Sequence, residues 1–235
     1  MENENEVLKE LMGRFGEQNK PKEGTMTFKT AIEKAYADMS RRAQNHRDSN
    51  RVSSINYLLE ESSFVDVING ERTFTDQTDF DDWHRAICTK LKEKMTGNNF
   101  SGRIGRAQKV INMAFKYLMY TETPCAGVRD YCHMTLDSYT LAWFKREVKR
   151  VKSAGIKFSD AFTWSKIDKY EDYIAIQEDI RNHLASDNNR KYSIDIKGLN
   201  KTEPVDLPPQ PILAEFIIWE GEKLFEKYTD LVKGI

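Results

Sequence analysis

The sequence contains few cysteines, few glycines and prolines, and no long apolar run. Three cysteines are a small and odd number for a disulfide framework, so we expect a reducing, cytoplasmic setting. Twelve glycines and six prolines are too few for a β-sandwich with many tight turns or for a low-complexity chain. No stretch approaches the roughly 18 apolar residues that a membrane span needs, and the first residues lack the pattern of a secretory signal. We therefore expect no membrane partner.

The composition of the chain is dominated by residues that favour α-helix. Hydrophobic residues make up 39% and charged residues 31% of the 235 residues, which allows a substantial core. The predicted fold class is mostly α, a compact multi-helix fold with little β structure, because apolar residues recur at intervals of three and four in six segments: 25–46, 78–95, 105–118, 136–155, 163–184 and 212–232. Residues 1–24 are predicted as a charged lead-in with a short helix. Residues 25–235 are predicted as a single helical domain, which can form two lobes around a cleft near 103–139.

The sequence also predicts helix ends, a turn and a short strand in and around these segments. Thr78, followed three residues later by Asp81, resembles a capping box at the start of a helix. Gly70 can close a hairpin turn or end a helix, and we prefer the helix end. The Gly- and Asn-rich segment 96–105 predicts a tight connection between two helices. A short strand is predicted at 192–196.

Positive charge is concentrated in the middle of the chain. Residues 103–157 contain eleven Lys or Arg and four Asp or Glu, a net charge of +7 within a protein whose total charge is −1. Charge segregated in this way favours an anionic partner, and nucleic acid is the commonest. Exposed basic helix faces without a partner are the alternative interpretation.

The helix predicted at 105–118 begins with "GRAQKVINM", directly after the Gly-rich connection. A tight turn at a helix N-terminus can present backbone N–H groups to a phosphate, and Arg103, Arg106 and Lys109 add positive charge beside it. An isolated acid, Asp137, stands at the start of the apolar run that follows. If Lys109 and Asp137 meet in space, an amine and a carboxylate share one site.

This order of hairpin, Lys, loop and Asp at a helix start resembles the helix-hairpin-helix DNA glycosylase superfamily over residues 82–150. The family pattern is a Gly-x-Gly-x-Lys hairpin, and here Gly105-Arg106-Ala107-Gln108-Lys109 occupies its place. Ala107 replaces the second glycine, and Leu136 stands before Asp137 where the family usually has Pro-Val. The archaeal 8-oxoguanine DNA glycosylases also depart from the standard hairpin and are nearest in style.

The resemblance implies a helix-hairpin-helix-like element and a DNA glycosylase, with or without lyase activity, that excises a damaged or modified base. Lys109 would be the nucleophile and Asp137 its electrostatic partner. The DNA partner would present a flipped base from a duplex or a single strand, so the protein would associate with the nucleoid. Its phosphates would be gripped by Gly102, Arg103, Gly105 and Arg106, and by the basic face of Lys145, Lys149 and Arg150. The candidates for the base pocket are Phe115, His133, Tyr139, Trp143 and Trp164.

No cofactor and no metal are predicted. Three cysteines are too few for the four-Cys iron–sulfur cluster of some superfamily members. His84 and Cys88, with Cys125, Cys132 and His133, match no standard zinc spacing.

Two other functions remain open from the sequence. Arg41 and His46 fit the Arg-x₄₋₆-His pattern of HEPN ribonucleases, in which the His acts as general base and the Arg stabilises the phosphorane. A non-catalytic helical nucleic-acid-binding protein needs only the basic face at 145–152. Each residue also has a purely structural interpretation: Lys109 as a surface lysine, Asp137 as a helix N-cap and the aromatic residues as core.

Overall fold

A computed structural model describes residues 6–22, 24–41, 49–97, 100–119, 127–148, 162–192 and 204–233. The α-helices within these ranges are α1 (Glu6–Asn19), α2 (Phe28–Ser40), α3 (Ser49–Asn56), α4 (Phe64–Asn69), α5 (Gln77–Met95), α6 (Ile104–Leu118), α7 (Ser138–Trp143), α8 (Tyr170–Ala185) and α9 (Pro211–Lys233). Single π-helical turns follow α3 and α7 at Tyr57–Glu61 and Phe144–Val148, and 3₁₀ turns lie at Trp164–Lys166 and Asp187–Asn189. The strands β1 (Lys191–Tyr192) and β2 (Val205–Asp206) pair antiparallel, with Lys191 opposite Asp206. The mostly α, compact fold is confirmed.

Helix α6 lies at the centre of the core. It packs against α2 and α5 and also contacts α8 and the 3₁₀ turn Trp164–Lys166. Thirteen of its fifteen residues are buried, so the helix is covered on nearly every side rather than along one stripe. A central helix must satisfy its polar side chains internally, which places its Gln, Asn and Lys residues in contact with other elements.

Helix α1 packs against α9, near the other end of the chain. Val7 and Leu11 of α1 are buried, and the ring of Phe15 stacks on Tyr117 of α6 at 5.3 Å. Residues predicted as part of a charged lead-in therefore contribute apolar side chains to the core.

The helix boundaries correct several local predictions. The capping box at Thr78 is wrong: Asp76 is the N-cap of α5, and its side chain accepts a hydrogen bond from the amide of Asp79. The preferred helix end at Gly70 is confirmed, since Gly70 closes α4 in the left-handed region at φ +77°. Helix α8 begins at Tyr170 rather than 163, because a 3₁₀ turn and an extended stretch precede it. Strand β1 ends the described range at Tyr192, and residues 193–196 of the predicted strand lie outside the described residues.

Candidate active site

Lys109 and Asp137 meet in the folded chain. Lys109 Nζ lies 4.0 Å from Asp137 Oδ2, and the two side chains are 13% and 11% exposed. The pair joins the second turn of α6 to the start of α7, 28 residues further along. An amine and a carboxylate therefore share a largely buried site that still reaches the surface.

The start of α7 holds Asp137 in place. Asp137 Oδ1 accepts hydrogen bonds from the amides of Tyr139 (2.9 Å) and Thr140 (3.1 Å), and Thr140 Oγ1 accepts one from the amide of Asp137 (2.9 Å). This reciprocal capping box satisfies orphan amides of the helix. Trp219 of α9 donates its indole N–H to Oδ2 at 3.2 Å. The N-cap role therefore occupies Oδ1 and leaves Oδ2 facing Lys109.

Gln108 ties α6 to the segment that leads into Asp137. Its Nε2 donates to the carbonyls of Gly105 (2.8 Å) and Leu136 (2.9 Å), while Oε1 accepts from the amide of Leu136 (3.2 Å) and from Asn112 Nδ2 (3.1 Å). All four hydrogen-bonding positions of this buried amide are used. Because Leu136 directly precedes Asp137, Gln108 fixes how closely the carboxylate approaches α6.

Burial and an aromatic ring define the surroundings of Lys109. Its Nζ lies 4.6 Å from the centre of the Trp164 ring. Burial lowers the pKa of Lys109, because desolvation disfavours the ammonium, and the nearby charge of Asp137 acts in the opposite direction. The net result is an amine that loses its proton more readily than an ordinary lysine.

Gly102 in the α5–α6 connection and Gly105 in the first turn of α6 are required by close packing. A Cβ on Gly105 would lie 1.8 Å from the carbonyl oxygen of Trp164, and one on Gly102 would lie 1.9 Å from that of Lys92. The amide of Gly105 donates to the carbonyl of Ile167 at 3.0 Å. This amide is therefore engaged within the protein, and the phosphate grip predicted for Gly102 and Gly105 stays a prediction.

The arginines beside the connection are partly buried. Arg106 donates to the carbonyl of Ser101, and its guanidinium lies 4.3 Å from the centre of the Phe100 ring. Burial, followed by the charge of Arg103, lowers the pKa of Arg106. The neighbouring positive charges of Arg103 and Arg106 create a local potential that attracts an anion.

A second lysine–carboxylate pair lies two turns further along α6. Lys116 Nζ is 2.8 Å from Glu215 Oε1, and the side chains are 3% and 1% exposed. Glu215 Oε2 accepts the amide of Thr135 at 2.7 Å, and burial raises the pKa of Glu215. The sequence interpretation missed this pair, although a glutamate inside the apolar run "ILAEFIIW" signals a buried partner. It also missed Trp219, because nothing local in the sequence connects this residue to Asp137.

The predicted base-pocket residues divide into two groups. Phe115, His133 and Trp143 are buried, and Phe115 packs on Phe64 with ring centroids 4.9 Å apart. Tyr139 and Trp164 are only half-buried, and they lie beside Asp137 and Lys109 respectively. The half-buried Trp164 ring lies next to Lys109 Nζ, whereas the Tyr139 ring packs edge-on against Trp219.

The remaining predicted residues have other partners or lie outside the described residues. Lys145 donates to the carbonyl of Phe162 at 3.0 Å and is half-buried. Lys149 and Arg150, predicted to bind DNA, lie outside the described residues. The same holds for His46 of the ribonuclease pattern, whereas Arg41 forms an ion pair with Asp38.

The histidines of the unmatched zinc pattern form a buried polar cluster. The rings of His84 and His133 lie 4.6 Å apart, and Cys88 Sγ lies 3.5 Å from His84 Nδ1. His133 Nε2 lies 2.7 Å from Asp81 Oδ1, and burial lowers the pKa of both histidines. In the part of the chain that the structure describes, no three His, Cys, Asp or Glu residues are arranged to hold a metal ion. Cys125 lies outside the described residues.

The fold and the site define a mostly α protein with a semi-buried lysine–aspartate pair at its centre. Comparison of the chain with protein families, curated proteins and solved structures finds no match. None of the helices, over the residues described, is both long and apolar enough to cross a membrane. The chemistry of the pair is therefore the starting point for assigning a function.

Proposed function

We propose that this protein is a DNA glycosylase that removes a damaged or modified base, with Lys109 as the nucleophile. The observation that carries the proposal is the placement of Lys109 Nζ 4.0 Å from Asp137 Oδ2 in a site that is largely closed to water. The same two residues occupy the nucleophile and aspartate positions in the resemblance to helix-hairpin-helix glycosylases. The distance between the two groups and their order in the motif therefore support the same assignment, with Lys109 as nucleophile and Asp137 as its electrostatic partner.

Covalent chemistry by a lysine requires a neutral amine. An ordinary lysine is almost fully protonated at neutral pH, so only a lowered pKa provides enough of the reactive form. Burial lowers the pKa of Lys109, and the ring of Trp164 occupies part of the space where water would solvate the ammonium. Lys109 therefore has the environment that a nucleophilic lysine needs.

The proposed reaction begins when the target base leaves the stack and exposes the sugar C1′. The bond between C1′ and the base breaks, and its electron pair leaves with the base, which takes up a proton. Lys109 Nζ bonds to C1′ and loses a proton. The C1′–O4′ bond then breaks, O4′ takes up a proton, and the nitrogen lone pair forms the C1′=N bond of a protonated Schiff base. Removal of a C2′ proton then expels the 3′ phosphate and nicks the strand. A monofunctional enzyme would stop after base release.

Asp137 would act by its charge. Departure of the base gives the sugar oxocarbenium character, and a carboxylate close to C1′ stabilises that positive charge. Its Oδ1 is held by two backbone amides, so the group is fixed before the substrate arrives. Stabilisation by a preorganised charge requires no reorganisation during the reaction.

The surroundings of the pair are suited to DNA. Arg103 and Arg106 lie just before Lys109 at the start of α6, where they can contact phosphates. The Trp164 ring lies beside Lys109, Tyr139 follows Asp137 by two residues on α7, and either half-buried ring offers a surface on which a flipped base could stack. The predicted basic face at Lys145, Lys149 and Arg150 would extend the contact with the backbone.

Borohydride trapping tests the proposal. Duplexes carrying 8-oxoguanine, uracil, an alkylated base, 5-hydroxymethylcytosine or an abasic site are incubated with the protein and reduced. Wild type should form a covalent adduct with at least one duplex, and Lys109→Gln should form none. Lys94→Gln is a matched control, because Lys94 also pairs with a carboxylate (Glu61, 2.7 Å) and lies over a ring (Tyr57, 5.8 Å). This control should form the adduct at the wild-type rate.

The outcomes separate the candidate functions. An adduct that survives Lys109→Gln would contradict the assignment of the nucleophile. Base release without an adduct would indicate a monofunctional enzyme. If neither is seen and RNA is cleaved in a manner lost in His46→Ala, the HEPN-like alternative replaces the proposal. Salt-sensitive DNA binding without any turnover would indicate a non-catalytic binding protein.

A further inference from the structure

We propose that Trp219 is a positioning residue: its indole N–H holds Oδ2 of Asp137 opposite Lys109 and prevents a closed ion pair. The catalytic meaning of this inference rests on the proposed function, whereas the contact itself does not. Trp219 lies on α9, 82 residues after Asp137, and donates to Oδ2 at 3.2 Å.

The hydrogen bonds of Asp137 leave a defined place for this donor. Oδ1 accepts the amides of Tyr139 and Thr140, so its orientation follows from the helix N-terminus. Oδ2 faces both the indole of Trp219 and the ammonium of Lys109. Because an indole N–H is a donor only, it can hold a carboxylate but cannot take a proton from Lys109.

The position of the indole is itself fixed by neighbouring elements. Tyr139 of α7 contacts the Trp219 ring edge-on, with centroids 5.3 Å apart. Lys116 Nζ lies 5.9 Å from the ring centre, and Lys223 Nζ lies 4.9 Å from it. Lys116 is in turn held by Glu215, one helical turn before Trp219. The donor is therefore placed by α6, α7 and α9 together.

The two lysine–carboxylate pairs of α6 show what the indole changes. Glu215 receives Lys116 and a backbone amide, and that ion pair is closed at 2.8 Å. Asp137 receives two backbone amides and an indole N–H, and its distance to Lys109 is 4.0 Å. A carboxylate whose charge is shared with several donors attracts an ammonium less strongly. Lys109 can therefore lose its proton and turn toward an incoming carbon atom.

Removal of the indole N–H should strengthen the attraction between Asp137 and Lys109. Burial has the largest effect on the pKa of Lys109 and lowers it; the carboxylates of Asp137, Asp38 and Glu215 raise this pKa, and the charge of Arg41 lowers it. Without the indole donor, Oδ2 carries more of the charge and is free to approach Nζ. Lys109 should then hold its proton to a higher pH.

The experiment measures the reactivity of Lys109 without any substrate. Trace acetylation with acetic anhydride is followed from about pH 6 to about pH 11, a range that includes the ordinary lysine pKa, with peptide mass spectrometry at Lys109. In Trp219→Phe, which keeps a ring and loses the N–H, the midpoint should move to higher pH. The rate of acetylation at a fixed pH below the midpoint should fall about fivefold, which corresponds to roughly 1 kcal/mol.

Two matched variants show whether the effect passes through Asp137. Trp83→Phe removes the same N–H elsewhere, from a 2.9 Å hydrogen bond to Ser63, and should leave the Lys109 midpoint unchanged. In an Asp137→Asn background, Trp219→Phe should cause no further shift. If Trp219→Phe does not fold, a benzothienylalanine at position 219 keeps the two-ring shape without the N–H.

An unchanged midpoint in the Trp219 variant would overturn the inference, as would an equal shift in the Asp137→Asn background. Because acetylation requires no DNA, this result is distinguishable from failure of the proposed function. A shifted midpoint with no base release from any duplex would keep the positioning role and remove the glycosylase assignment. An adduct at Lys109 with an unchanged midpoint would keep the glycosylase assignment and remove the positioning role of Trp219.

Discussion

At the scale of single residues, the difference between Lys109 and Lys116 is the central feature. Both lie on α6 two turns apart, and both face a carboxylate from a distant part of the chain. Lys116 is almost completely buried in a closed ion pair, a structural arrangement whose disruption would leave a buried charge. Lys109 is partly accessible in an open pair, with a pKa lowered by burial. Only Lys109 combines access with the tendency to lose a proton.

Asp137→Asn should separate the two roles of this residue. Asn is as good an N-cap as Asp, so the free energy of unfolding should change by less than about 1 kcal/mol. Loss of the negative charge should reduce single-turnover base release by about 10²-fold, because the sugar cation is no longer stabilised. Urea denaturation of wild type and Asp137→Asn measures the change in the free energy of unfolding. Base release at the wild-type rate in a folded Asp137→Asn protein would remove Asp137 from the mechanism.

Gln108→Leu should lower the free energy of unfolding by about 1–3 kcal/mol. The substitution leaves the amide and carbonyl of Leu136 without their partner in a buried position, and such groups cost free energy when unsatisfied. Gln210→Leu is the matched control, since its single side-chain hydrogen bond to Asp130 is exposed. The control should change stability by less than about 0.5 kcal/mol. Equal effects of the two variants, measured by urea denaturation, would contradict the role of Gln108 in tying α6 to Leu136.

At the scale of elements, the connection between α5 and α6 determines where Lys109 lies. Gly102 and Gly105 let this connection approach the backbone of Lys92 and Trp164, and the approach brings the Trp164 ring over Lys109. The sequence motif suggested that these glycines serve a phosphate. Their closest contacts are instead with the protein backbone, which gives a packing reason for glycine at both positions.

Gly105→Ala should therefore destabilise the protein by about 1–3 kcal/mol, because the added methyl overlaps the Trp164 carbonyl and forces the two segments apart. Gly13→Ala on α1 is the control, since nothing lies within 4 Å of the position its Cβ would take. An alanine within a helix is favoured over glycine, so this variant should be neutral or more stable by up to about 1 kcal/mol. Thermal unfolding of both variants tests the contrast. A Gly105→Ala protein as stable as wild type would contradict the close packing.

The fold was more predictable than the helix boundaries. The periodicity at 105–118 is strong, and α6 begins within one residue of its predicted start. The helix predicted from 163 begins at Tyr170 instead, because Trp164 and Ile167 pack against α6 in a 3₁₀ turn and an extended stretch. Apolar spacing cannot distinguish such a segment from a helix. The sequence could not distinguish Asp76 from Thr78 as the cap, since both residue types are good caps and each is followed by an Asp three residues later.

At the scale of the whole molecule, the candidate site is built from distant segments. The order of Lys109 and Asp137 in the sequence led to the hypothesis that they meet. Trp219 and Glu215 lie about 80 residues later than the segments they contact, and their partners depend on how α9 packs against α7. Such contacts cannot be inferred from local patterns. The sequence therefore led to the expectation that Lys109 and Asp137 meet, but it did not predict the contacts of Trp219 and Glu215.

The buried histidines should make global stability sensitive to acid. The pKa values of His84 and His133 are lowered by burial, so below the ordinary histidine pKa of about 6.5 the unfolded chain binds protons that the folded chain does not. The free energy of unfolding should therefore fall as the pH drops below about 6.5. His84→Gln should reduce this slope by at most about 1.4 kcal/mol per pH unit. Urea denaturation at several pH values measures the slope of the free energy of unfolding against pH.

Cys88→Ala is the control for this slope. Cys88 contacts His84, and burial raises the pKa of its thiol, so it does not titrate in this range. The variant should be less stable at every pH and should keep the wild-type slope. An unchanged slope in His84→Gln would contradict the contribution of His84 to the acid sensitivity.

The most direct test of the central claim is the position of the trapped adduct in the wild-type protein. After reduction with borohydride in the presence of a reactive duplex, the protein is digested with nuclease and trypsin and analysed by mass spectrometry. If Lys109 is the nucleophile, the sugar remnant lies on Lys109, which blocks cleavage there and yields one modified peptide spanning 107–116. A remnant on any other lysine or on the N-terminal amine, with unmodified cleavage at Lys109, would contradict it.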